Sequence, residues 1–229
     1  MEDKPAGLAV AIDGPMGSGK STVAREVARR LGFTYIDTGA MYRAVAVAAI
    51  RRGVSADNPG ALAALARAIT LSFEPPSDGG TRVLVDGEDV TSELRSVQVN
   101  QIVAKVARPR GVREVLGALQ RSLGSRGTVV MEGRDIGSVI LPHARVKVFL
   151  TASMDVRAQR RQMELAAGGT PLPLEAVRRI IEEDDRMATT REVAPLRVAP
   201  GAVVIDSTAL TVGQVVDQIV ALVERARGL

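Results

Sequence analysis

Residues 14–21 read Gly-Pro-Met-Gly-Ser-Gly-Lys-Ser, a complete G-x-x-x-x-G-K-S phosphate loop between the apolar run Leu8-Ala9-Val10-Ala11-Ile12 and a helix-forming stretch. In such a strand-loop-helix the glycines let successive backbone N–H groups turn into one concavity, and the following helix adds the positive end of its dipole. Lys20 brings a mobile cation to the β- and γ-phosphates, and Ser21 is placed to hold Mg²⁺, directly or through water. The segment specifies a nucleoside-triphosphate binder and the first unit of a parallel α/β fold. Its triphosphate contacts fall on Gly14, Pro15, Met16, Gly17, Ser18, Gly19, Lys20, Ser21 and Thr22.

Outward from the loop, apolar runs of strand length alternate with helical patterns, as in consecutive βαβ units. The runs predict strands at Leu8–Ile12, Thr34–Ile36, Thr128–Met131, Val146–Leu150 and Val203–Ile205. Helices are expected near Ser21–Leu31, Ala40–Arg52, Pro59–Ala68, Val97–Ala107, Val112–Ser125, Met154–Ala167, Leu174–Ala188 and Val212–Arg227. The stretch from about Thr70 to Arg95 breaks the alternation. Leu71–Phe73 and Arg82–Val85 flank the turn-rich Pro75-Pro76-Ser77-Asp78-Gly79-Gly80, and Asp86-Gly87-Glu88-Asp89-Val90 reads as a turn into a short strand. This is a small inserted lobe.

A length of 229 residues suits one such domain with an insertion. Aromatic residues make up only 2%, so the core is built from Val, Ile, Leu and Ala, and stacking platforms for single-stranded nucleic acid are not expected. Without cysteine there are no disulfides, thiolate metal sites or cysteine nucleophile, and a reducing, cytoplasmic setting fits. The polar Met-Glu-Asp-Lys-Pro start does not read as a signal peptide, and no apolar stretch approaches the ~20 residues of a membrane span. The net charge of +4 comes from 26 arginines and four lysines, a balance that suits anionic small substrates as well as nucleic acid.

The second informative segment is Tyr35-Ile36-Asp37-Thr38-Gly39-Ala40-Met41-Tyr42-Arg43, and the third is Glu132-Gly133-Arg134-Asp135-Ile136-Gly137. With the phosphate loop they resemble the bacterial cytidylate kinase family, a branch of the nucleoside-monophosphate kinases. The resemblance runs from Ile12 to about Val216 and takes in Arg191-Glu192-Val193-Ala194-Pro195-Leu196 and Ile205-Asp206-Ser207-Thr208.

It implies transfer of the γ-phosphoryl group of Mg·ATP to CMP or dCMP. Two anionic nucleotides must then meet end to end, so charge neutralisation is the main demand on the protein. Lys20, Mg²⁺ and the loop amides serve the donor. Arg43 and Arg134 offer forked N–H donors to the acceptor phosphate. The resemblance adds Arg113 and Arg191 on the acceptor side, with Asp37, Thr38 and Tyr42 from the second segment. It also places Arg157, Arg160 and Arg161 at the start of a lid whose flexible tip is Gly168-Gly169-Thr170-Pro171. Lys20, Arg134, Arg157, Arg161 and Arg191 form the implied catalytic set.

Asp135 is the candidate for reading cytosine, since a carboxylate accepts from the exocyclic amino group that uracil lacks. Its alternative role is to hold Arg134. Asp37 is expected to support the loop or a metal-bound water, Asp185 to orient a lid arginine, and His143 to be a loop residue. Three departures from the family pattern stand out. Met16 replaces a usual Ser at a position where only the backbone matters. Ala188 stands where the family often has an Asp for the ribose hydroxyls, and Ala104 where it often has a Ser for the base.

The expected architecture is a three-layer α/β/α domain with a central five-stranded parallel sheet. The core comprises 1–69, 108–156 and 190–229, the monophosphate-binding insertion about 70–107, and the helical lid about 157–189. A monomer acting on nucleotides alone, with no nucleic-acid or membrane partner, is expected. Two other readings share the phosphate loop: a kinase for another monophosphate or for shikimate, and a non-catalytic module that switches on nucleotide occupancy.

Overall fold

The computed structural model describes residues 8–74 and 81–228. The N-terminal Met1–Pro5 stretch and the Pro75–Gly80 turn lie outside these residues. The main sheet contains β1 (Ala9–Asp13), β2 (Thr34–Asp37), β6 (Val129–Gly133), β7 (Val146–Thr151) and β8 (Val203–Asp206), in the order β2-β6-β1-β7-β8 and parallel throughout. Each of the five predicted strands is present, and each extends to a polar or glycine residue at its C-terminal end. Interior strand β6 is buried at every position, whereas edge strand β8 is mostly exposed. A strand covered on both faces reads as a continuous apolar run, and an edge strand does not.

The helices are α1 (Lys20–Leu31), α2 (Thr38–Arg51), α3 (Pro59–Ala68), α4 (Val97–Val106), α5 (Arg110–Gly124), α6 (Met154–Ala167), α7 (Leu174–Thr190) and α8 (Val212–Arg227). α1 stops at Gly32, which takes φ 67° and returns its N–H to the carbonyls of Ala28 and Arg29. α8 opens with a capping box in which Thr211 and Gln214 satisfy each other's backbone N–H groups. A π-helical turn at Ile136–Ile140, absent from the sequence expectation, follows β6.

The chain divides into two compact units, one running to Asp37 and resuming at Arg121, the other Thr38–Gln120. In the first, Val10, Ile12, Val130, Val148 and Leu150 from the sheet pack with Val23 and Val27 of α1 and Val215, Val216, Ile219 and Val223 of α8. Burial of each such side chain contributes roughly 1.5–3 kcal/mol, which compensates for the near absence of aromatic residues. α6 and α7 make a smaller cluster through Ala158, Val177 and Ile181.

The second unit is built on α2, an alanine-rich helix with ten buried positions from Thr38 to Ala49. Its antiparallel sheet joins β3 (Leu71–Glu74), β4 (Arg82–Val85) and the short β5 (Glu88–Asp89). Asp86 and Gly87 connect β4 to β5 with φ of 52° and 84°, the two positive values a tight hairpin turn requires.

Candidate functional site

The phosphate loop takes its shape from how closely it runs past its neighbours. A side chain at Gly14 would overlap the carbonyl oxygen of Leu150 on β7. Gly17 has φ 74°, and a Cβ there would lie 2.7 Å from the carbonyl oxygen of Arg157. The loop ends at Gly19, and among the described residues no side chain caps α1 and no acid occupies its first turn. By contrast α3, α4, α6 and α8 are closed by Asn58, Ser96, Ser153 and Thr211. The first amides of α1 are left for an anionic ligand.

Lys20 folds over the loop, its Nζ donating to the carbonyl oxygen of Pro15 at 2.8 Å. Burial, and then the charge of Arg134, pull its ammonium well below the usual lysine range. A polyanion arriving on the loop reverses that balance. Next to it, the Ser21 hydroxyl donates to the Glu132 carboxylate, which also accepts from Tyr35 Oη at 2.9 Å. Burial pushes the Glu132 carboxyl up, and the neighbouring charge of Asp37 adds to the effect.

Strand register explains this cluster, because Asp37 of β2 is level with Glu132 of β6, and Glu132 with Ile12 of β1. A hydroxyl and hard carboxylate oxygens at the C-terminal ends of neighbouring strands fit Mg²⁺. Among the described residues no three His, Cys, Asp or Glu side chains form a ready metal cage.

Beyond β6, Arg134 Nη2 pairs with Asp184 Oδ2 of α7 at 3.3 Å. Asp135 Oδ1 pairs with Arg191 Nη2 at 3.3 Å, and both side chains are nearly buried. Arg191 Nε also donates to the carbonyl oxygen of Ala194, which holds the left-handed φ of 53°. Asp13, the last residue of β1, accepts from the amides of Ile136 and Gly137 at 2.8 Å each.

The three arginines of α6 divide into two kinds. Arg157 Nη1 donates to the carbonyl oxygen of Met16 at 3.2 Å and pairs with Asp185 Oδ2 at 2.7 Å. Arg160 donates to the carbonyl oxygens of Ser18 and Ser207 and to Ser207 Oγ. Both hold the loop by its outward carbonyls, which keeps its amides facing the other way. Arg161 instead pairs with Glu164 on its own helix at 2.8 Å. His143 is exposed in the loop before β7.

In the second unit, Thr38 and Tyr42 are buried on α2. Arg43 Nη1 donates to Asn100 Oδ1 at 2.7 Å and to the carbonyl oxygen of Leu94 at 3.0 Å. The Arg113 guanidinium lies 5.5 Å from the centre of the Tyr42 ring and donates to the carbonyl oxygen of Ala107. Tyr42, Arg43 and Arg113 are thus gathered within this unit.

Sequence reasoning missed Asp13, Glu132, Asn100, Asp184 and Ser207 as partners of the predicted residues. The first two could have been found, since both stand at the C-terminal end of a strand, where open α/β sheets bind ligands. The other three are set by tertiary contacts that no local pattern records.

The family model described as cytidylate kinase matches residues 10–225. A cytidylate kinase from Pelotomaculum thermopropionicum is 52% identical over 219 residues, covering 95% of this chain and 96% of the relative. One from Symbiobacterium thermophilum is 48% identical over 219 residues, covering 96% and 97%. A crystal structure of an uncharacterised protein from Eubacterium ventriosum covers 95% of this chain and 98% of its own at a TM-score of 0.51, and at 11% identity it speaks for the fold alone. The end-to-end match agrees with a sheet that carries a lysine-bearing loop and an arginine-bearing turn on neighbouring strands, and the chain belongs to the cytidylate kinase family.

Proposed function

We propose that the chain transfers the γ-phosphoryl group of Mg·ATP to CMP or dCMP by direct in-line attack, giving ADP and CDP or dCDP. The observation that carries this reading is the register of β1 with β6. Asp13 is level with Gly133, so the phosphate loop and the Arg134-Asp135 turn leave the same end of adjacent strands.

On the donor side, the loop amides and the open N-terminus of α1 hold the triphosphate, and Lys20 stabilises charge as it develops on the transferred group. Ser21 holds Mg²⁺ directly or through water, with Glu132 and Asp37 as supporting carboxylates. When bound, the ion neutralises charge shared between the phosphates. Arg157 and Arg160 keep the loop's carbonyls turned away from the ligand, and Arg161 joins them when the lid closes and water is excluded.

On the acceptor side, Arg43, Arg113, Arg134 and Arg191 neutralise the monophosphate, Thr38 and Tyr42 line its pocket, and Asp135 accepts from the cytosine amino group. An ionised phosphate oxygen is already a nucleophile, so no general base is required and no covalent enzyme intermediate forms. The same reading has the chain working as a monomer in the cytoplasm, on nucleotides alone. Among the described residues no helix is long and apolar enough to cross a membrane.

An ADP-release assay with ATP against CMP, dCMP, UMP, AMP, GMP and shikimate tests this assignment. Rapid turnover is expected with CMP and dCMP. Faster turnover with UMP, AMP or shikimate overturns the acceptor, and ATP binding without acceptor-dependent ADP production overturns the kinase.

A further inference from the structure

We propose that Asp13 is a positioning residue for the acceptor, because its carboxylate caps the turn that presents Arg134 and Asp135. The inference rests on the acceptor roles given above to those two residues.

The turn Ile136–Ile140 begins with amides that its own short helix cannot satisfy. Its later amides are bonded internally, Val139 and Ile140 to the carbonyl oxygen of Asp135 and Leu141 to that of Ile136. The residue in the capping position is Asp135, a residue type whose side chain ordinarily takes the first free amides of a helix. Here it makes no capping bond. Its carboxylate turns instead to Arg191.

Asp13 does the capping in its place, from another strand. Oδ1 accepts from Ile136 and Oδ2 from Gly137, so both oxygens are taken by consecutive amides. Asp13 is 2% exposed, and burial pushes its carboxyl up to about 6 in spite of those two bonds. The charges that act on it are those of Asp135 and Lys20, and the Lys147 stem packs at Gly137. Keeping a carboxylate in such a place costs free energy, yet a neutral side chain could not do the same work. The two amides here fall on separate oxygens, and an amide side chain held in the same orientation offers one oxygen and turns its NH2 donor toward the second N–H.

Asp13→Asn removes one of the two bonds and frees the turn to recruit Asp135 as its cap. The expected result is a KM for CMP raised about 10-fold or more, since hydrogen bonds to a charged group are among the stronger ones. The KM for ATP should stay within about 2-fold, because Asp13 makes no hydrogen bond to the loop and its charge is a minor influence on Lys20 beside burial and Arg134, and the preference for CMP over UMP should fall as Asp135 turns away. A general loss of folding or packing would not separate the two substrates in this way.

If Asp13→Asn does not fold, replacing the Gly137 amide by an ester removes the same donor with Asp13 intact, and the same separation is expected. Equal rises in both KM values, or an unchanged KM for CMP in a folded variant, overturn the proposal. Arg134→Ala serves as the control on the underlying reading. If it leaves the KM for CMP unchanged, the acceptor assignment fails. If it raises that KM while Asp13→Asn and the ester do not, only the role of Asp13 falls.

Discussion

The Ala188 side chain offers nothing polar, and its backbone is committed, since its carbonyl oxygen accepts from the amide of Leu196 at 2.8 Å. The hydroxyls of Thr189 and Thr190 are turned back onto the carbonyls of Asp185 and Arg186. This stretch therefore presents no carboxylate to a ribose 2′-hydroxyl, and Ala104 adds no hydroxyl for the base. A hydrogen bond to a charged group is worth about 1.5–3 kcal/mol, or about 10- to 150-fold, so CMP should be preferred over dCMP by less than about 100-fold in steady-state kinetics. A larger preference would place ribose recognition elsewhere. Asp13 gives a pH prediction of definite sign. Burial lifts its carboxyl from 3.8 to about 6, so the folded chain holds this proton more tightly than the unfolded one. The stabilisation is complete below about pH 4 and is lost as pH rises through 6. At ~1.36 kcal/mol per pH unit it amounts to about 3 kcal/mol. Urea unfolding at pH 4 and 7.5 should show wild type losing about that much relative to Asp13→Asn, and a constant difference between the two would rule the effect out.

At the scale of elements, the loop between β1 and α1 is clasped from outside as much as it is folded from within. Gly17→Ala would impose a positive φ costing about 1–2 kcal/mol and press a methyl group on the Arg157 backbone 2.7 Å away. The KM for ATP should rise about 10-fold or more, and a value near wild type would mean that α6 yields instead. α8 contributes four buried side chains to the core of its unit. Thr211→Ala removes half of its capping box, so a loss of about 1 kcal/mol and a fall in Tm of about 2–4 °C are expected by calorimetry. The strands and helices were legible because their signals are local, as Pro59 and Asn58 at the start of α3 illustrate. The π-helical turn could not be read at all, since the group that stabilises it, Asp13, lies 123 residues earlier in the chain.

At the scale of the whole molecule, the family was readable because three short segments at strand ends carry most of its chemistry. Asp185 meets a lid arginine, Arg157, as the sequence leads one to expect. What could not be read was how the other two arginines are held, Arg134 by Asp184 and Arg160 by Ser207, across 50 and 47 residues of chain that local pattern does not bridge. Composition, too, has a consequence at this scale. The chain has two tyrosines and no tryptophan. Tyr35 lies in the first unit with its phenol on Glu132, and Tyr42 in the second beside Arg113. Burial lifts the Tyr35 phenol above its ordinary range, so it stays protonated throughout the working pH range. Mg·ATP should perturb the emission of Tyr35, and CMP that of Tyr42, with Tyr35→Phe and Tyr42→Phe each silencing one response. If one nucleotide altered both signals equally, the two would not be separable. The scarcity of aromatic rings thus leaves the enzyme with two tyrosine fluorophores, and the expected outcome is that each reports on one substrate without any added dye.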